Sequence, residues 1–439
     1  MILINNFGES MKSLIQIQNK MLEWIKENIK FIFIDVILGI IIYSMMISGN
    51  LVNSVDGVWN TSQYWAKTWE TSLGRGILYF VDKMRAGLVS MPLNTVLALF
   101  CISSGGTLVL DIFQVRSKWL GRLVCLLFII NPVTCITLSY CFTSVGYGVG
   151  FLCSVIAVCC IYSKYWIQGM FFGGCFIALS LGCYQAYLGV TCVLLLVLLI
   201  KMFIRLADVK EIATFLIKSV VSFVIGGIFY AIMSKLLLII FNAKTSSYKG
   251  ASNLSLGKII ISLPVSLGQC FYDFYAFFIK NKMYIPVPRK VFTLIWVIIL
   301  ILCICLIRTI YVVWRRKRVY AIAFLGCIMF IPIASCAVLL IAVGNSMNLL
   351  MSMSMVICIP LFLALLMGGL NFAKEEYNVL SRNIGYTLLI FLLWANILTV
   401  TNDQLALKEG RTATVKLTDM IISELVAEGH LEEGAVFAF

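Results

Sequence analysis

The chain has 439 residues, of which 61% are hydrophobic and only 12% are charged, and its formal net charge is +14. This composition lies far outside the range of soluble domains and predicts a polytopic membrane protein. The apolar runs are solid blocks without a two-residue alternation, which excludes a transmembrane barrel and leaves an all-α fold.

Residues 1–30 come before the first apolar run and contain several lysines. Within residues 12–30 the apolar side chains can share one helical face, which predicts a cytoplasmic helix lying in the membrane interface. A solvated leader is the alternative. We expect no cleavable signal peptide, because no small-residue cleavage site follows the first apolar run.

Apolar runs without Asp, Glu, Lys or Arg provide about eleven transmembrane helices, since each helix needs about 20 such residues. The runs are 36–55, 86–110, 123–163, 165–200, 219–234, 291–307, 319–373 and 383–402, and the three longest hold two helices each. Residues 31–400 are therefore the transmembrane body. An amphipathic pattern then predicts an outer soluble tail over 401–439, which we interpret as an incomplete small domain.

The short connections between the runs predict the orientation of the chain. Six segments, the N-terminal one included, carry Lys or Arg, and all six fall on one side of the membrane; the run Arg315–Arg318 is one of them. The opposite turns, near 139–144, 183–187 and 344–348, carry none. Basic short loops stay in the cytoplasm, so we expect the N-terminus inside and the C-terminus outside.

Two long outer segments, residues 50–92 and 242–290, depart from this pattern. The second carries seven Lys or Arg against Asp273 alone, and a cationic outer face attracts lipid phosphates, a phosphate-linked donor or an anionic envelope polymer. General contact with anionic headgroups explains any single lysine equally well. The apolar stretches 256–267 and 271–279 are too short to span, so we expect interfacial helices or a re-entrant hairpin.

Catalytic candidates follow by elimination. The only histidine, His430, lies in the tail, which removes histidine base chemistry from the membrane body. The acids on the expected outer face of the membrane body are Asp56, Glu70, Asp82 and Asp273. Asp56 follows the first run in an Asp-Gly turn dipeptide and is the first candidate for a general base. An ordinary turn aspartate is the alternative.

Glu70 and Asp82 are the other catalytic candidates of the first outer segment. Glu70 lies near its centre. Asp82 has Lys83 and Arg85 as neighbours, so a structural ion pair explains it at least as well as catalysis. Asp56 and Asp82 would be the ligands of a divalent metal, but two acids of unknown separation do not indicate one. No other cofactor is indicated.

Arg75 is the strongest candidate for binding a phosphate. It lies in Leu-Gly-Arg-Gly, whose glycines allow a ligand to approach the backbone, and a guanidinium can bind a phosphate through two hydrogen bonds. An arginine that faces lipid headgroups is the alternative. The other cations assigned to a donor phosphate are Lys83, Arg85, Lys280 and Lys282.

Aromatic side chains and one amide gather on the same side and predict a sugar or acceptor site by stacking and hydrogen bonding. They are Trp59, Tyr64, Trp69, Tyr140, Tyr147, Tyr184, Gln185 and Tyr187. For each ring taken singly, a place in the aromatic belt of the membrane is the alternative. The sixteen cysteines have no spacing that suits a disulfide framework or a zinc site, and we interpret them as buried apolar filler.

Several of these motifs resemble one family. The first segment reads Asp56-Gly-Val-Trp59, then Trp69-Glu70, Leu-Gly-Arg75-Gly and Arg85-x-Gly-Leu-Val-Ser-x-Pro-Leu-Asn, and Asn131-Pro132 and Tyr184-Gln185-Ala-Tyr187-Leu-Gly follow. Together they resemble the serotype-converting type II glucosyltransferase family of bacterial membranes. The likeness covers residues 30–200 well and residues 200–400 only in the number and spacing of the spans.

That family is similar to the multi-spanning glycosyltransferase C superfamily, which implies juxtamembrane helices in the first outer segment. The resemblance also implies glucose or another hexose carried on a polyprenyl phosphate. The acceptor would be an envelope polysaccharide, teichoic acid or glycolipid at the outer face of the bacterial cytoplasmic membrane. By the resemblance, Asp56 takes the proton of the acceptor hydroxyl, with Asp82 as second carboxylate, and Arg75 holds the donor phosphate.

The chain departs from the family pattern before the tenth span, where residues 344–348 carry no cation. The residues left to bind the donor phosphate are then Arg75, Lys280, Lys282 and Arg289. A flippase for lipid-linked sugars and a polymerase or ligase of envelope polysaccharide fit the same topology. Ionisable residues are nearly absent from the middle of the predicted spans, which argues against an ion-coupled transporter. No nucleic-acid partner is expected.

Overall fold

The computed structural model of the chain describes residues 2–60, 62–113, 118–246, 256–280, 289–342, 344–366 and 379–429. Within these ranges the structure is helical, with an isolated antiparallel bridge between Gln63 and Leu88. The α-helices in chain order are α1 (Ile2–Ile42), α2 (Ser44–Gly49), α3 (Ser54–Trp59), α4 (Thr68–Ser72), α5 (Leu78–Met84), α6 (Met91–Phe113), α7 (Lys118–Ile129), α8 (Pro132–Ser139), α9 (Cys141–Tyr162), α10 (Trp166–Cys183), α11 (Leu188–Ile204), α12 (Val209–Ile240), α13 (Leu256–Tyr275), α14 (Arg289–Arg316), α15 (Arg318–Ser335), α16 (Met353–Leu366) and α17 (Val379–Ala427). Single 3-10 turns lie at Gln185–Tyr187, Ala337–Leu340 and Leu349–Met351, and a π turn at Ala276–Lys280.

Among the described residues, eight helices are long and apolar enough to cross a membrane, and the bent pair α7 and α8 adds a ninth. The eight lie in α6, α9, α10, α11, α12, α13, α15 and α17. Lipid offers no hydrogen-bond partners, so a solid apolar run can satisfy its backbone groups only within its own helix. The all-α polytopic class is confirmed, while the count of eleven and the orientation remain predictions.

Two helices end inside the apolar body, and side chains bond to the backbone groups that these ends leave free. At the end of α1, Gln404 of α17 donates to the Ile42 carbonyl oxygen and accepts from the Met46 amide, both at 3.0 Å. The Tyr43 hydroxyl donates at 2.8 Å to the carbonyl oxygen of Ile129, the last residue of α7. These side chains let two apolar segments bend without leaving buried backbone groups unsatisfied.

The helix ends gather on two faces of the bundle. On one face, Lys201 donates to the Ile112 carbonyl oxygen at 3.1 Å and Lys218 donates to that of Ser163 at 2.5 Å. These ammonium groups offset the partial negative charge at the C-terminal ends of α6 and α9. We call the opposite side the loop face. It is formed by residues 50–90 with the turns 139–141, 184–188 and 241–246, which hydrogen-bond to it.

The second long segment contains one helix where two short ones were predicted. α13 continues through Pro264 into the π turn, so the expected interfacial pair or re-entrant hairpin is wrong for 256–280. Gln269 supports the polar middle by donating to Asp273 Oδ1, one turn later, at 2.8 Å. The second oxygen of Asp273 accepts from the Met347 amide at 2.8 Å and fixes α13 to the turn that follows α15. Asp273 is therefore occupied as a structural acid.

α17 extends far beyond the apolar run that begins it. Its 49 residues reach about 73 Å at about 1.5 Å per residue, more than twice the ~30 Å hydrocarbon core. Over residues 405–427 nearly every side chain is exposed, Val415 and Met420 among them. The described part of the predicted tail thus continues α17. His430 and the rest of 430–439 lie outside the described residues.

Candidate active site

The first long segment is hydrogen-bonded to the turns of the bundle that share the loop face with it. Asn53 donates its backbone N–H to the Ser139 carbonyl oxygen at 2.8 Å, and Ile77 donates to that of Gly182 at 3.1 Å. The two arms of the segment are joined to each other by the isolated bridge noted above. The short helices α3, α4 and α5 are held within this frame.

Asp82 and Arg85 are buried and bound to each other. Arg85 donates to Asp82 Oδ1 and to the Leu88 carbonyl oxygen, each at 2.6 Å, and also to the Phe142 carbonyl oxygen. The other oxygen of Asp82 accepts from the Ala66 amide at 2.7 Å. Burial raises the pKa of Asp82, and Arg85 lowers it. Both charges have partners within the protein, which supports the ion-pair alternative over proton transfer by Asp82 or phosphate binding by Arg85.

Removing one partner of this pair is expected to destabilise the protein. Asp82→Asn or Arg85→Met leaves the remaining group buried without its counter-ion, a change that costs about 3–5 kcal/mol. We expect a lower melting temperature of the purified protein in detergent. Lys83→Met is the matched control, because Lys83 is exposed beside the pair. Melting curves that coincide for all three variants would show that the pair does not hold the segment.

Glu70 lies half-buried near the centre of the segment. The Tyr64 hydroxyl donates to its carboxylate, and the Tyr64 ring packs edge-on against Phe142 with 4.7 Å between centroids. The pKa of Glu70 is raised to about 7, mainly because the carboxyl group is removed from water. Among the smaller effects, a backbone hydrogen bond lowers the pKa, the Asp82 carboxylate raises it and Arg75 lowers it. Glu70 therefore changes its charge near neutral pH, unlike an exposed glutamate.

Arg75 follows Glu70 after one tight turn. Gly74 has a left-handed backbone with φ of +77°, and the Arg75 amide bonds back to the Glu70 carbonyl oxygen at 2.8 Å. The guanidinium donates from Nε to Gln185 Oε1 at 3.3 Å and lies 4.8 Å from the centre of the Tyr184 ring. Within the described residues its two Nη nitrogens have no partner. A half-buried guanidinium arranged in this way can bind an anion through two parallel hydrogen bonds.

Buried tyrosines support the guanidinium. The Tyr184 ring lies 4.8 Å from Tyr147 and 5.4 Å from Tyr187. All three are buried, and Tyr187 also contacts Phe151 in the core. Because little of their surface is open, these rings are placed to hold Arg75. Tyr64 and Gln185, which are half-buried, leave more of their surface open than these three tyrosines.

Asp56 is exposed at the beginning of the segment, in the first turn of α3. No described residue bonds to its carboxylate. The region of α3 is joined to that of Glu70 through Ser139, whose neighbour Tyr140 lies 6.3 Å from the Phe142 ring. The Asp56 carboxylate is thus open to a partner from solution on the loop face, but the described contacts do not bring it next to the guanidinium.

We call Arg75, Glu70, Tyr64, Tyr184, Gln185 and the side chains that contact them the Arg75 cluster. The other predicted residues are exposed or contact other rings. Trp59 and Trp69 are 83% and 56% exposed. The Lys83 ammonium lies over a tyrosine ring of α5 at 5.2 Å, and that of Lys280 lies 5.3 and 5.5 Å from two tyrosine rings of α13. Outside the described part are Lys282 and the Arg289 side chain. Where side chains are described, no group of three or more His, Cys, Asp or Glu could hold a metal ion.

Two residues of the cluster were not found by sequence reasoning. Tyr230 of α12 accepts a hydrogen bond from Gln185 Nε2 at 3.2 Å, and Phe142 packs against Tyr64 as described above. In the sequence both are ordinary aromatic residues of apolar runs, which are common near a membrane interface. Only the packing of the bundle shows that they belong to the site.

The comparisons with known proteins identify a family. The family model described as glucosyl transferase GtrII matches residues 45–364, which is most of the chain. The matched range contains the whole first segment and every residue of the Arg75 cluster, and it confirms the family resemblance seen in the motifs. No curated protein and no solved structure matches the chain.

Proposed function

Because the chain belongs to the glucosyl transferase GtrII family, we propose that it moves glucose, or another hexose, from a polyprenyl-phosphate donor to a glycan. The acceptor is an envelope polysaccharide, a teichoic acid or a glycolipid at the outer face of the bacterial cytoplasmic membrane. That the protein is a membrane glycosyltransferase follows from the family and the apolar helices together.

The observation that carries the proposal is the guanidinium of Arg75, which is half-buried on the loop face and whose Nη nitrogens bond to no described residue. A polyprenyl phosphate leaves the sugar as an anion. A cation that is already in position stabilises the charge that develops on the departing oxygens, and partial burial strengthens the attraction. An exposed lysine would be screened by water and would not be held in place.

We assign the acceptor side of the reaction to Asp56. Its carboxylate takes the proton of an acceptor hydroxyl while the hydroxyl oxygen bonds to the anomeric carbon of the sugar. The bond from that carbon to the phosphate oxygen breaks, and polyprenyl phosphate departs with the electron pair. The exposure of Asp56 and its lack of a partner among the described residues support this role. Glu70 belongs to the donor side, beside Arg75.

Glu70 predicts that donor affinity depends on pH. With a pKa of about 7, it changes from a neutral acid to a carboxylate between about pH 6 and about pH 8. The added negative charge weakens the attraction of Arg75 for an anionic donor, so the KM for the donor should rise severalfold as pH rises through this range. Glu70→Gln stays neutral and should lose the dependence. Identical profiles of KM against pH in the two proteins would contradict this role.

A transfer assay tests the function. The protein in lipid vesicles receives polyprenyl-phosphate glucose with a labelled sugar, and envelope polysaccharide is supplied as acceptor. We expect the label to enter the polysaccharide as polyprenyl phosphate is released. Movement of the intact lipid-linked sugar across the bilayer, with no labelled polysaccharide, would overturn the proposal in favour of a flippase.

A further inference from the structure

We infer that Tyr230 of α12 is a positioning residue, which orients the Arg75 guanidinium through Gln185. The inference rests on the proposed function, in which Arg75 binds the phosphate of the donor. It brings into the site a helix that the motifs of the first segment do not include.

The Gln185 amide is held in one orientation by three hydrogen bonds. Its nitrogen donates to the Leu73 carbonyl oxygen at 2.6 Å and to the Tyr230 hydroxyl at 3.2 Å, and its oxygen accepts from Arg75 Nε at 3.3 Å. In the opposite orientation the amide nitrogen would face Arg75 Nε, which is also a donor, and the amide oxygen would face the Leu73 carbonyl oxygen, which is also an acceptor. The Tyr230 hydroxyl accepts the second N–H of the amide, and so it holds the amide in place while the amide oxygen faces Arg75.

The two glycines that flank Arg75 face α12. A Cβ atom at Gly74 would overlap the Tyr230 hydroxyl, and a Cβ atom at Gly76 would overlap the Leu237 side chain. Residues 230 and 237 are seven positions apart, so they lie on the same face of the helix. The Gly-Arg-Gly motif is thus explained by close packing against α12, since side chains larger than that of glycine at positions 74 and 76 would not fit. This packing brings the Arg75 turn into contact with Tyr230.

α12 also separates the site from lipid. Its opposite stripe consists of exposed apolar residues at helical spacing, with Ile228, Ile232 and Leu236 exposed by 53%, 51% and 54%. α12 therefore lies between the Arg75 turn and an apolar surface that suits lipid. A donor with a polyprenyl chain could keep that chain in lipid along α12 while its phosphate reaches the guanidinium, and Tyr230 is the residue of α12 that orients this contact.

Tyr230→Phe removes the hydroxyl and keeps the ring. We expect the KM for the polyprenyl-phosphate donor to rise about three- to tenfold, the effect of one lost neutral hydrogen bond, with little change in kcat or in melting temperature. Binding of undecaprenyl phosphate should weaken by the same factor. Tyr79→Phe is the matched control, because the Tyr79 hydroxyl on α5 bonds to no described residue.

A double-mutant cycle tests whether Tyr230 acts through Arg75. Arg75→Lys has no Nε atom to bond with Gln185, so Tyr230→Phe should not weaken undecaprenyl phosphate binding further in that background. An equal effect in both backgrounds, or no effect of Tyr230→Phe in the wild-type protein, would overturn the inference. If the wild-type protein binds no undecaprenyl phosphate, the proposed function fails instead, so the two failures can be told apart.

Discussion

Replacing Arg75 by alanine is expected to lower kcat/KM for glucose transfer by about 10²–10³-fold. Loss of one preorganised donor to a developing anion costs about 2.7–4 kcal/mol in comparable sites. Arg75 is preorganised by Gln185 and by the Tyr184 ring, so its charge is in place before the phosphate departs. Arg75→Lys should restore only part of the activity, because an ammonium cannot make two parallel hydrogen bonds.

Lys67→Ala is the matched control for this experiment, since Lys67 is an exposed cation of the same segment. It should retain wild-type transfer. In Arg75→Ala, binding of undecaprenyl phosphate should fall together with transfer, as expected for a residue that contacts the donor. If Arg75→Ala and Lys67→Ala are equally active, the donor phosphate is bound elsewhere, and Lys280 is the next described candidate.

Asp56→Asn is expected to lower kcat by about 10²–10⁴-fold, the range that a positioned general base contributes. Asparagine has nearly the same shape but cannot take a proton from the acceptor hydroxyl. Because Asp56 is exposed and its carboxylate bonds to no described residue, its replacement should leave the melting temperature unchanged. Binding of undecaprenyl phosphate should also persist, so that donor binding and transfer separate in this variant.

Glu70→Gln is the matched comparison, because it exchanges for its amide another carboxylate of the segment that has no described ion-pair partner. Its loss of transfer should be much smaller than that of Asp56→Asn. The reverse result, with transfer lost in Glu70→Gln and kept in Asp56→Asn, would make Glu70 the base. The structure supports such a test, since Glu70 lies beside the guanidinium and has a pKa of about 7.

The transmembrane helices were predictable because hydropathy acts locally along the chain. Where the predicted bounds fall short, a tertiary contact explains the difference. The run 219–234 becomes the longer helix Val209–Ile240, since Lys218 can remain inside it by donating to the Ser163 carbonyl oxygen on a neighbouring helix. Hydropathy also predicted two short segments where the single helix α13 lies. The polar residues in the middle of α13 are accommodated because Gln269 donates to Asp273, which in turn accepts from the turn after α15.

The candidate site was predictable in its residue types more than in its arrangement. Composition selected Arg75, Glu70 and Gln185 because polar groups are scarce in this chain. The same reasoning could not separate the buried ion pair of Asp82 and Arg85 from a catalytic pair, because neighbours in sequence do not reveal whether a charge is satisfied by carbonyl groups of another helix.

By itself, the sequence determined the membrane class, the family and the short list of side chains able to carry charge on the loop face. Only the tertiary structure decided which of them meet. Arg75 bonds to Gln185 across 110 positions, and Gln185 bonds to Tyr230 across 45. Backbone hydrogen bonding and hydropathy specify each helix from its own residues, whereas the contacts between helices depend on how whole surfaces pack, and no local pattern encodes that packing.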